Sequence, residues 1–153
     1  MLSKIENLTS DEQQLVLNAP VLVSALVAGA DGEFYLAEIK EAVKIIHIKT
    51  YSETRDVSGV YKAIDGHTEE AIDMLIDNLP ESTDERNEFL TNYLSGLNDI
   101  FPKLDPAFAL DLYTSLRELA FYVSNAGDLG IGMRTEQEKE MSKLEFLNAP
   151  QVG

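Results

Sequence analysis

A chain of 153 residues, 44% of them hydrophobic and carrying a formal charge of −15, suits one domain. At that length folding buries roughly 68–70% of the unfolded surface, and disorder is not the default. The charge argues against bare nucleic acid or an anionic membrane as partner and favours divalent cations, a basic protein or plain solvation, while the absence of cysteine removes disulfides, thiolate catalysis and cysteine zinc sites.

Along the chain, helical periodicity dominates and strand-like alternation is nearly absent. Ser10-Asp11-Glu12-Gln13 reads as a capping box that opens a short first helix. Pro20 suits the first turn of a second helix, Val21 to Val27, which is apolar almost all round and therefore central. The run from Leu15 to Ala30 is not expected to be a signal peptide, because Glu6, Asp11 and Glu12 stand where positive charge should precede it. Asn18 and Pro20 break it, so no membrane insertion is expected, and the expected location is cytoplasmic.

A third helix follows, with Ile39, Ala42, Val43, Ile45 and Ile46 on a broad buried face. Val57, Val60, Tyr61 and Ile64 mark a fourth that stops at Asp65-Gly66. Ile72, Leu75, Ile76 and Leu79 make a fifth, with Glu69 and Glu70 at the positive end of its dipole and Pro80 beyond it. Ser82-Thr83-Asp84-Glu85 opens a sixth helix through Leu90, Tyr93, Leu94, Leu97 and Phe101. Asp105-Pro106 starts a seventh, whose stripe is Phe108, Leu112, Leu116, Leu119, Ala120 and Val123. Gly127 to Gly132 ends it, and Thr135-Glu136-Gln137-Glu138 opens an eighth carrying Met141, Leu144 and Leu147. The expected fold is all-α: an orthogonal bundle of about seven or eight helices over residues 1–149, with a disordered tail at 150–153.

Between the second and third helices lies Ala28-Gly29-Ala30-Asp31-Gly32-Glu33-Phe34-Tyr35-Leu36-Ala37-Glu38. Asp-Gly followed by a closing Glu matches the back half of a calcium-binding EF-hand loop; the front half is missing, since Val27 and Gly29 occupy its first acidic positions. The outline recurs weakly later, as an apolar helix, a loop with Asp128, and a helix entered near Glu138.

These residues resemble the TerB-like (tellurite-resistance) family, which includes a domain at the N-terminus of some membrane-anchored DnaJ-type proteins. Ala30, Asp31, Gly32 and Glu38 match its Ala-Asp-Gly turn and the Glu that starts the next helix, and Ala126, Gly127, Asp128 and a Glu at 136 or 138 stand where its second half repeats them. The resemblance implies an all-helical domain of stress response or protein–protein contact, with a possible cation and no defined catalysis.

Two readings of the first loop stay open. Asp31, Glu33 and Glu38 hold Ca²⁺ or Mg²⁺ weakly, because two or three carboxylates leave several positions to water. Otherwise Asp31 makes an Asx-turn and Glu38 caps the first turn of a helix that lacks a good N-cap residue. Asp128 and Glu138 are the corresponding candidates in the second loop, although Glu138 is already explained by its capping box. His47 and His67 belong to no Glu-x-x-His pair, and Gly127, Gly130 and Gly132 lack the strand and Lys-Ser/Thr pair of a phosphate loop. No catalytic residue emerges. The functions in view are a non-enzymatic interaction module, an acidic scaffold for a basic protein without metal, and, more remotely, a carboxylate-pair hydrolase.

Overall fold

Thr9 begins the first helix, α1 (Ser10–Ala28). Its hydroxyl accepts from the Glu12 amide at 3.2 Å, and Glu12 Oε1 accepts from the Thr9 amide at 3.0 Å. The capping box therefore sits one residue earlier than expected, with Glu12 rather than Gln13 reaching back. Lys103 also donates to Glu12 Oε2 at 2.6 Å. That hydrogen bond, followed by the one from the Thr9 amide, holds the Glu12 carboxyl below the ordinary carboxylate range.

The computed structural model describes residues 3–30, 36–129 and 141–150, and among them there is no strand. The protein is all-α over these residues. The expected break at Pro20 does not occur, and the two helices foreseen around it are one. Proline inside a helix costs about 3 kcal/mol through a lost N–H and a clash. Here every residue from Ala19 to Ala28 is buried, and burial of each large apolar side chain is worth about 1.5–3 kcal/mol. The Ser24 hydroxyl donates to the Pro20 carbonyl at 2.8 Å, satisfying both groups inside the core. No described helix is long and apolar enough to cross a membrane.

α2 (Leu36–Ser52) buries Ile39, Ala42, Ile45 and Ile46, and Glu38 and Lys49 with them, while Val43 of the expected face is only half-buried. α3 (Arg55–Lys62) ends in a turn where Gly66 takes φ +87°, a left-handed conformation that costs glycine nothing sterically. α4 (Thr68–Asp77) carries Glu69 and Glu70 in its first turn. α5 (Thr83–Leu94) is capped by Ser82, whose hydroxyl accepts from the Glu85 amide at 3.4 Å. The single helix expected through Phe101 is instead α5, a break at Ser95-Gly96, α6 (Leu97–Ile100) and a 3₁₀ turn over Phe101–Lys103. At the break the chain runs close to α1: a Cβ on Gly96 would stand 3.0 Å from Leu15 Cδ2.

α7 (Pro106–Leu129) starts where Asp105-Pro106 foretold, with Asp105 Oδ2 accepting from the Phe108 amide at 3.2 Å. Its six expected core residues, Phe108 to Val123, are all buried. The helix runs on through Gly127, so Asp128 lies on a helix and not in a loop. A glycine costs a helix only about 1 kcal/mol, and α7 ends two residues further on, at Leu129, within the expected 127–132 break. The eighth helix also differs. Its expected start at 135–138 lies outside the described residues, and its end comes at Ser142 rather than Leu147. Leu144 turns to φ 49°, and Leu144 and Leu147 reach the core from a turn. Asn98 fixes this segment by donating to the Phe146 carbonyl and accepting from the Asn148 amide, both at 2.8 Å.

α1 packs against each of α2 to α7, and α7 packs against both α1 and α2. The contact of α2 and α3 with α7 contains buried polar groups. Lys49 Nζ donates to Glu53 Oε1 at 2.6 Å and Glu118 Oε1 at 2.9 Å, over the Tyr61 ring. Tyr61 Oη and Ser115 Oγ share a hydrogen bond of 2.8 Å, and burial pushes the phenol above its ordinary pKa. Tyr61→Phe is expected to lower stability by about 1–2 kcal/mol in urea unfolding, because Ser115 is left buried without its partner. Tyr61→Phe with Ser115→Ala should cost clearly less than the two single losses added together.

A second expectation concerns acid. A carboxyl whose folded pKa is depressed contributes stability above its unfolded pKa and loses it as pH falls through the folded one. The stability gap between wild type and Glu12→Gln should therefore narrow in unfolding curves taken from neutral pH down to about pH 3.

Candidate functional site between the first two helices

The loop joining α1 to α2 is held at both ends by buried residues. At its entry the Gly29 amide donates to Ala25 O at 3.0 Å and the Ala30 amide to Val27 O at 3.3 Å. From α5, Arg86 Nη2 donates to the Gly29 carbonyl at 3.3 Å and Asn87 Nδ2 to the Ala30 carbonyl at 3.0 Å. These two bonds satisfy carbonyls that the end of α1 would otherwise leave without helical partners. Arg86 is itself buried, so a permanent positive charge sits at the mouth of the loop.

At the exit stands Glu38, the third residue of α2 and fully buried. A carboxylate removed from water is costly unless neighbouring dipoles or charges favour it. The first turn of a helix supplies such a dipole. The other candidate ligands of this loop, Asp31 and Glu33, lie outside the described residues. Of this loop's candidate ligands, the structure thus places Glu38 alone, and places it inward.

Sequence reasoning missed Arg86 and Asn87. A signal for Arg86 was present: it precedes Leu90 by one helical step of four and Leu94 by two, which puts it on the buried face of α5.

Elsewhere the candidates are not brought together. Asp128 is on the last turn of α7, and Glu138 lies outside the described residues. His47 is exposed, with Nδ1 2.9 Å from Asp65 Oδ1 and the ring edge-on to Tyr51. His67 precedes α4 in an exposed turn. Among the described residues no three His, Asp or Glu side chains are grouped to hold a metal ion. Two surface clefts, of about 330 and 360 Å³, have Glu118 as the one carboxylate among their described lining residues. A hydrolytic pair needs two facing carboxyls, and neither cleft presents them among those residues.

No family model, curated protein or solved structure matches the chain.

Arg86→Leu should destabilise the fold by about 1.5–3 kcal/mol, the range for a hydrogen bond from a charged group. The loss should be accompanied by faster amide hydrogen exchange at Gly29 and Ala30. Equal exchange in wild type and variant would mean that the guanidinium does not secure the loop.

Proposed function

We propose that the chain is a non-enzymatic helical interaction module of TerB-like type, serving a stress response in the cytoplasm, with the α1–α2 loop as its controlling element. The observation that carries this reading is the fully buried Glu38 carboxylate at the exit of an Asp-Gly loop whose entry is tied to α5. Such a loop couples any change at Asp31 and Glu38 to the packing of α1, α2 and α5 together. In this reading Asp31, Glu33 and Glu38 take Ca²⁺ or Mg²⁺ with water completing the shell, at a dissociation constant of about 10⁻⁴–10⁻³ M. The bundle is taken as orthogonal, with the helix–loop–helix of α1 and α2 repeated by α7 and the segment after it.

A second reading is favoured by Arg86. A guanidinium fixed at the loop mouth repels a divalent ion and supplies positive charge without one. The loop is then a structural lock, and the protein is an acidic scaffold for a basic partner.

Calorimetric titration of the chelator-treated protein with Ca²⁺ and Mg²⁺ separates the two. The first reading expects heat at millimolar cation in wild type and none in Asp31→Asn or Glu38→Gln. Absence of heat in wild type overturns it. The lock reading expects Glu38→Gln to lose about 0.5–2 kcal/mol of stability with chelator present, the scale of a lost helix cap.

A further inference from the structure

Between Lys62 and Lys103 the chain holds a single lysine or arginine, Arg86, against ten aspartates and glutamates. Arg86 is turned inward to Gly29. This whole stretch, from α4 to α6, therefore presents acid to solvent with no cation of its own. On α5 the outward face combines that charge with apolar surface. Phe89 and Tyr93 are one helical step apart, with ring centroids at 6.3 Å, and are 50% and 41% exposed. An aromatic side chain buries 150–250 Å² when covered, so the pair leaves roughly 200 Å² of ring surface open. Glu85 continues their row, and Asp84, Glu88 and Asn92 form the next; all four are exposed. Asp84, Glu85 and Glu88 enter no ion pair among the described residues.

We propose that the outward face of α5 docks a basic helical segment of another protein, one that sets an arginine against Phe89 and Tyr93 and within reach of Glu85 and Glu88. A guanidinium meets both features better than an ammonium, stacking flat on a ring while its edge pairs with a carboxylate. A second copy of the chain would oppose the same carboxylates to themselves across a twofold contact. Nucleic acid and anionic lipid are repelled for the same reason. The proposal rests on the reading of the chain as an interaction module and is independent of whether its loop takes a cation.

The test uses the full chain, ¹⁵N-labelled and in chelator, titrated with synthetic helical peptides of roughly 18 residues. One peptide carries Arg and Leu on a single face, and the other replaces every Arg with Lys. Shift changes should cluster on residues 84–93. The Arg peptide should bind about threefold or more tighter than its Lys counterpart, and added salt should weaken both. Phe89→Ala with Tyr93→Ala should cost about tenfold in affinity, and Glu85→Gln with Glu88→Gln should flatten the salt dependence. Shift changes centred elsewhere, such as on α4, overturn the proposal, as does equal affinity of wild type and the aromatic variant. Should that variant fail to fold, the wild-type shift map and the Arg-to-Lys comparison decide alone. Cation heat without peptide binding would remove this surface and leave the loop; the converse would remove the loop's cation and leave the surface.

Discussion

Hiding α1 is the constraint on which the rest of the molecule depends. The segment from Ala19 to Ala28 has no polar face to offer water, so other elements must surround it, and each of α2 to α7 touches α1. The surrounding helices are consequently amphipathic, and their charged faces point outward. That arrangement accounts for a strongly acidic surface over an apolar interior without invoking any partner. It also explains how the helix tolerates Pro20, because the helix is kept by what covers it as well as by its own hydrogen bonds.

The same constraint shapes the loop between α1 and α2. A helix whose C-terminal end is buried must find partners for its last carbonyls inside the protein. Arg86 and Asn87 of α5 supply them at Gly29 and Ala30. Glu38 enters the interior three residues beyond the loop. Arg86 and Asn87 thereby tie the end of α1 to α5, whatever the loop itself holds. Lys49, Glu53 and Glu118 do comparable work between α2 and α7.

A surface charge of one sign has a further consequence. Folding does not require it, and self-repulsion works against compactness. Where such charge surrounds exposed rings, as on α5, solvation alone explains the carboxylates but not the aromatics. An exposed aromatic pair beside uncompensated acid is the arrangement that a basic partner would complete.

Much of the fold was legible in residue spacing. The stripe on α7, most of the buried face of α2 and the caps at Ser82 and Asp105 follow from local chemistry, since hydrophobic period and hydroxyl or carboxylate caps act within a few residues, whereas α3 stops at Lys62, short of the expected Asp65-Gly66. Of the site, Glu38 was legible as the acid that opens α2. What the sequence determined by itself was therefore element type, the central place of the apolar segment, and the sign of the surface. Tertiary structure decided the rest. Pro20 fails to end its helix because packing outweighs a local penalty. Gly96 does interrupt one, where the chain passes close to Leu15. Arg86 meets Gly29 across 57 residues of sequence, a pairing set by how α5 lies on α1, and no local spacing encodes it.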